Sequence, residues 1–147
     1  MERTKFNVNK NTEKRTFGDI VFDSVLEMRY YAEVVIPGIE SGEITKCERQ
    51  KKYILQDGFE HNGEKIRPII YAADFYLEYA DGHSTVIDIK GCPDATAILK
   101  RKMFWFRYPD TDYQWISYIK KFGGWGSYDE YQKMRKAAKR AAKKDEG

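Results

Sequence analysis

Asp74, Asp88 and Lys90 are the residues whose types and spacing could do chemistry. Asp88 and Lys90 sit in Val86-Ile87-Asp88-Ile89-Lys90-Gly91, and Asp74 sits upstream in Tyr71-Ala72-Ala73-Asp74-Phe75; both segments have strand composition. Side chains alternate along a strand, so Asp88 and Lys90 share one face while Ile87 and Ile89 take the core face. Ala80-Asp81-Gly82 closes the two strands into a hairpin. A two-residue Asp81-Gly82 turn would set Phe75 opposite Asp88 and mix the faces. A three-residue loop puts glycine at the left-handed bulge position and sets Phe75 opposite Ile87 and Asp74 opposite Asp88. Apolar matching selects the second register, because a one-residue slip flips a whole face. Opposed residues have β-carbons about 4.5–5.5 Å apart. Two carboxylates that close repel, and a divalent cation between them removes the repulsion. Such a cation, Mg2+ or Mn2+, takes oxygen ligands, and the backbone carbonyl of Ile89 is available as a neutral one. One metal and two are both compatible with this set. The chemistry that suits it is hydrolysis of a phosphodiester: the metal lowers the pKa of a bound water, and Lys90 holds that water or neutralises charge growing on the phosphate.

The elements that must position these groups read in the order helix, strand, strand, strand, helix, strand, helix, which predicts an α/β layered single domain with a mixed sheet. The first helix starts at Asp23-Ser24 and carries Leu26, Tyr30 and Val34 at helical spacing until Pro37-Gly38 ends the pattern. Residues 44–55 read as a charged strand near a sheet edge, residues 57–65 as a polar loop, and residues 68–79 and 84–90 as the hairpin strands. A helix over residues 94–106, a strand over 113–119 and a glycine loop over 122–126 follow. Ser127 and Glu130 form a capping box that opens a last helix over 127–144. The division expected is an N-terminal arm over 1–18, with order beginning near Phe17, a core over 19–120, and a glycine loop with a basic helix over 121–147.

At 147 residues and 41% hydrophobic, the chain is the size of one domain with one core, and its 15% aromatic content argues against disorder. The formal net charge is only +3, so its distribution says more. Lys133, Arg135, Lys136, Lys139, Arg140, Lys143 and Lys144 form one basic run; Lys100, Arg101 and Lys102 a second; Arg49, Lys51 and Lys52 around Gln50 a third. Basic patches around an acidic centre suit a nucleic-acid enzyme. In the second run at least one side chain should face a DNA phosphate. The last helix is expected to dock on the domain, with a partner chain or a DNA backbone as alternatives. Trp105, Trp115 and Trp125 are expected in the core or an interface rather than as base-stacking platforms, Trp125, in its glycine loop, being the best stacking candidate of the three. His61, His83, Cys47 and Cys92 stand in no metal-ligand spacing. The absence of a long apolar run and of an apolar leader core leads to an expected cytoplasmic location with no membrane span.

Val21-Phe22-Asp23-Ser24-Val25-Leu26-Glu27, Glu48-Arg49-Gln50, Tyr71-Ala72-Ala73-Asp74-Phe75, Asp88-Ile89-Lys90-Gly91, Lys100-Arg101-Lys102 and Tyr108-Pro109 together resemble the PD-(D/E)xK nuclease superfamily, over roughly residues 17–119. Within it they resemble a phage-encoded endonuclease family similar in layout to phage Holliday-junction-resolving endonucleases. Ala73 stands where the superfamily pattern has proline and Asp88 where many members have glutamate; neither change removes a ligand. The resemblance implies a restriction-endonuclease-like mixed sheet and metal-dependent hydrolysis of DNA, branched DNA in particular, during phage recombination or genome maturation. It implies Glu27 as the acid that completes the metal site or orients the water, although Ser24-Val25-Leu26-Glu27 is also a capping box in which Glu27 would bond back to the helix start. Arg49, Gln50, Lys51, Lys100, Arg101 and Lys102 are the nucleic-acid-binding residues expected, a strand-holding role for Gln50 being the alternative. A resolvase cuts two strands symmetrically, so a homodimer is expected, with no small-molecule cofactor. The other readings are a nicking or packaging nuclease, a non-catalytic DNA-binding module on the same fold, and an RNA-directed nuclease.

Overall fold

The computed structural model describes residues 12–146. A 3-10 turn (Thr12–Arg15) leads into a small antiparallel pair, β1 (Thr16–Phe17) with β2 (Ile20–Val21). Of the arm expected at 1–18, the first eleven residues lie outside the described chain. Ser24, in an extended conformation, then accepts a 3.0 Å hydrogen bond from the Glu27 N–H and so starts α1 (Val25–Tyr30).

The helix does not stop at Pro37-Gly38. It widens into one π turn (Tyr31–Val35) and continues as α2 (Ile36–Ser41), ending on Gly42 in the left-handed conformation (φ 83°). Pro37 occupies the first turn of α2, where a missing N–H costs least, and the π turn just before it absorbs the irregularity. Gly38 is needed for a different reason. A β-carbon there would come within 2.5 Å of Ile44 Cδ1, so the bare backbone lets the first long strand pack against the helix.

That strand, β3 (Ile44–Gln56), is the edge of a five-stranded sheet completed by β6 (Ile69–Tyr79), β7 (Ser84–Ile89), β8 (Tyr113–Ile119) and β9 (Gly124–Ser127), in the order β3-β6-β7-β8-β9. All neighbours are antiparallel except β7 and β8, which run parallel and are joined by α3 (Ala95–Arg107), capped by Asp94. The architecture is thus the mixed α/β single domain expected, a mostly antiparallel sheet flanked by helices. Two segments expected as loops contain strands. The stretch 57–65 holds all but the last residue of a hairpin, β4 (Phe59–His61) with β5 (Glu64–Ile66), turning at Asn62-Gly63 where both φ angles are positive (49° and 81°). The glycine loop at 122–126 contains β9, reached through Gly123 and Gly124 (φ 106° and 98°).

The core lies on both sides of the sheet. Phe22, Tyr30, Val35, Phe75, Leu77 and Ile87 fill the side under α1; Leu55, Tyr71, Ala73, Val86 and Phe104 fill the side under α3. Odd-numbered residues of β6 therefore change sides between Ala73 and Phe75, as do those of β3 between Cys47 and Tyr53. The step falls at Gln50, whose φ of 56° is left-handed, and Gln50 stands opposite Asp74 where the ladder is interrupted. The α4 helix (Tyr128–Glu146) does not dock along its length as expected. Tyr128 packs edge-on against Trp115, with ring centroids 5.4 Å apart, and the buried Tyr131 hydroxyl donates to the Gly124 carbonyl at 2.8 Å. From Lys133 to Asp145 every residue is exposed, because a run of lysines and arginines with only alanines and Met134 between them has too little apolar surface to bury. No helix among the described residues is long and apolar enough to cross a membrane.

Candidate active site

The hairpin register is the one apolar matching selects: Phe75 opposite Ile87, Tyr76 opposite Val86, with a three-residue loop ending on Gly82 at φ 94°. Phe75 and Ile87 are almost wholly buried, and each contributes on the order of 1.5–3 kcal/mol by leaving water. That burial fixes the register and so brings Asp74 alongside the start of the Asp88-Ile89-Lys90 segment. The Ile89 N–H donates to Asp74 Oδ2 at 2.8 Å, linking the strands at the point where the regular ladder stops. Asp88, 4% exposed, accepts an ion pair from Lys90 Nζ at 2.6 Å. The two share a face, as alternation requires, but it is a covered face rather than an open one. Ser117 of β8 donates its hydroxyl to the Lys90 carbonyl at 2.5 Å and pins the strand end.

Glu27 joins them from α1. It is 2% exposed, and its side chain does not close the capping box. Instead its carboxylate accepts from Gln50 Nε2 at 3.3 Å and faces Arg49 Nη2 at 3.6 Å, while Ser24 caps its N–H. Arg49 lies over the Phe22 ring at 4.1 Å and is mostly covered. The left-handed backbone at Gln50 is what turns its amide toward Glu27 at a position opposite Asp74. Arg49 and Gln50 are thus occupied in holding Glu27, and Lys51 lies over the Tyr76 ring at 3.8 Å.

Three carboxylates now act on one another. Burial pushes Asp74 well above the usual carboxylate range, with the Asp88 and Glu27 charges adding to it and the Ile89 N–H opposing it. Glu27 rises to about 7, chiefly through burial and the nearby Asp23, with Asp88 contributing and Arg49 and Gln50 opposing. The Tyr71 hydroxyl is also buried here without a hydrogen-bond partner, and burial and the Asp88 charge drive its pKa upward. Sequence reading did not reach Tyr71, Tyr113, Trp115 or Ser117, which are ordinary strand residues by type. Only the register places them here.

These shifts have a consequence for stability. A carboxylate with a raised folded-state pKa leaves the fold unpenalised below its unfolded pKa and weakens it as pH climbs through the folded value. In metal-free buffer the melting temperature is expected to fall as pH rises from about 4.5 to about 7, and Glu27→Gln to remove much of that fall. A melting temperature flat across the window, read by calorimetry or circular dichroism, would show these acids to be solvated.

The basic residues are placed unequally. Lys100 Nζ donates to the Ile70 carbonyl at 3.1 Å, and Arg101 Nη1 donates to both Asp129 carboxylate oxygens at 3.0 and 3.1 Å. Of the three consecutive bases of α3, Lys102 alone is exposed, Lys100 and Arg101 being partly covered. Trp125 does not offer a free stacking face. Its indole packs edge-on against Tyr30 and Tyr118 (5.1 and 5.0 Å) and donates to Glu33 at 3.1 Å. Among the described residues, no three His, Cys, Asp or Glu side chains are gathered closely enough to enclose a metal ion. The donors fit one nonetheless in kind: two neighbouring carboxylates, with the buried Glu27 carboxylate near them, all oxygen, in a desolvated spot beside the buried Tyr71 hydroxyl.

No curated protein and no solved structure matches the chain. One family model does, over residues 3–124, a span that holds Glu27, Asp74, Asp88 and Lys90 and stops short of α4. The chain belongs to the family described as "Protein of unknown function (DUF1064)".

Proposed function

We propose that this chain is a divalent-metal-dependent endonuclease that hydrolyses DNA phosphodiester bonds. The observation that carries the reading is a desolvated pair of acids on adjacent strands, Asp74 and Asp88, with the Lys90 ammonium 2.6 Å from the second of them. Buried like charges are costly, and a protein keeps them where a cation or a reaction uses them. Asp74, Asp88 and the Ile89 carbonyl would hold Mg2+ or Mn2+, with Glu27, held by Gln50 and Arg49, placed to orient a water rather than to ligate the ion. A cation so held supplies a water of lowered pKa and polarises a phosphate oxygen.

The chain's own residues do the rest. Lys90 places a positive charge beside the acids, where it neutralises the charge that develops on a phosphate oxygen. Glu27, with its pKa near 7, can hold or release a proton in the neutral range, within a frame fixed by Gln50 and Arg49. Ser117 and the Ile89 N–H keep the Lys90 and Asp74 segments in register. The exposed bases of α4, with Lys102, supply the positive surface that a DNA backbone requires. The resemblance to phage resolvases extends the reading to branched DNA, to a homodimer carrying two active sites, and to the cytoplasm of an infected cell.

The test is a panel of labelled linear, flap, fork and four-way DNAs, and the same shapes in RNA, with Mg2+, Mn2+ or chelator. Metal-dependent cutting fastest on the four-way substrate is expected. Equal cutting of linear duplex would refute the branch preference. Binding without cutting on any substrate would leave a DNA-binding module on this fold.

A further inference from the structure

Between α3, β8 and the start of α4 is a pocket of about 300 Å³ whose lining includes Arg101, Trp105, Trp115, Gln114, Ser127 and Glu130. Trp115 links it to the candidate active site: Trp115 pairs in register with Asp88, and Lys90 Nζ lies 5.2 Å from the Trp115 ring centroid. The Arg101 guanidinium lies over both indoles, 3.9 Å from the Trp115 ring and 4.5 Å from Trp105. Its pair with Asp129 holds it there. Trp115 is 3% exposed, whereas Trp105 is 47% exposed, so one indole is wall and the other is open surface.

The size and lining point to one kind of guest. The volume is at the lower end of small-ligand pockets, enough for a single heterocycle and far too small for a duplex. Indole and guanidinium planes stack on nucleobases whatever their sequence. Gln114 offers an amide donor and acceptor, Ser127 a hydroxyl, and Glu130 a carboxylate that accepts from an amino edge. A phosphate is the wrong guest, because Asp129 already neutralises Arg101 and the Glu130 charge remains.

We propose that this pocket receives an unpaired nucleobase beside the bond to be cut, so that the enzyme acts where a base has lost its complement. The inference rests on the nuclease reading and narrows its substrate to DNA with a free base next to the cleavage point.

The test uses the full chain, in chelator, with a duplex carrying one unpaired 2-aminopurine, and in parallel the same duplex fully paired. Binding of the wild-type protein is expected to quench the unpaired 2-aminopurine. Trp105→Ala, at an exposed helix position, should abolish the quench and weaken that complex about tenfold while leaving the paired duplex unaffected. Trp105→Phe should restore both. Absence of quenching, or equal weakening of the two complexes by Trp105→Ala, overturns the pocket. Adding Mg2+ to the same oligonucleotides separates the two ideas. Cutting without quenching removes the pocket and keeps the nuclease; quenching without cutting keeps the pocket and removes the nuclease.

Discussion

Asp88→Asn is expected to lower metal-dependent DNA cleavage by at least about a thousandfold, since a metal ion contributes several kcal/mol of transition-state stabilisation and each tenfold is about 1.4 kcal/mol. The substitution preserves shape and removes one charge. DNA binding should hold or tighten, because a negative group near phosphate is gone. Asp74→Asn should behave alike, for it sits in the same desolvated cluster and its carboxyl is already driven toward the neutral form without a cation. Single-turnover cleavage and equilibrium binding, measured on the same junction DNA, separate the two effects. Folding is the control: Asp88→Asn deprives Lys90 of its charged partner, but the lysine side chain is 21% exposed and can reach water, so far-UV circular dichroism should be unchanged. Markedly weaker binding in both variants would sink the assigned geometry.

Replacing the seven lysines and arginines of α4 between Lys133 and Lys144 by glutamine is expected to have the largest effect on affinity. The whole stretch is exposed, so its charges are available to a partner rather than used inside the fold. A helix can lay only one side on a DNA backbone, about four of the seven. Each phosphate neutralised adds about 0.9 to the salt slope of binding, so the slope should fall by roughly three to four and low-salt affinity by about a hundredfold or more. Cleavage at saturating enzyme should change little, because α4 supplies none of the acids. An unchanged slope would show that the helix meets something other than phosphate.

The site is legible in the sequence where strand chemistry alone decides geometry. Alternation puts Asp88 and Lys90 together, and the glycine of a three-residue turn with matched apolar faces sets Asp74 beside them. The rest depends on tertiary events that periodicity does not encode. Nothing in Glu48-Arg49-Gln50 announces a left-handed residue, yet that single torsion turns Gln50 to Glu27 and exchanges the two faces of β3. Arg49, Lys100 and Arg101 read as bases for DNA and prove to be bound to Glu27, Ile70 and Asp129, because charge type does not reveal which acid or carbonyl the fold will bring near. Pro37 misleads for a local reason: a π turn accommodates it. Asn62-Gly63 is a readable hairpin signal inside a stretch whose polarity suggests only loop. Trp115 and Trp125 pack into the fold as expected, whereas Trp105 is left half-exposed, since exposure is set by how helix and sheet pack rather than by residue type.

Tyr131 hooks the basic helix to the domain through the Gly124 carbonyl, and Gly126 sits so close that a β-carbon there would collide with the Tyr131 hydroxyl. Beyond this hook α4 extends roughly 22 Å, at about 1.5 Å per residue. The helix is therefore a lever with a short, tight fulcrum. A methyl group added at Gly126 that tilts it by about 10° would carry its far end about 4 Å, close to the rise of roughly 3.4 Å along the duplex axis per phosphate of one DNA strand. A glycine in the sheet thus sets the direction in which the longest charged element leaves the domain.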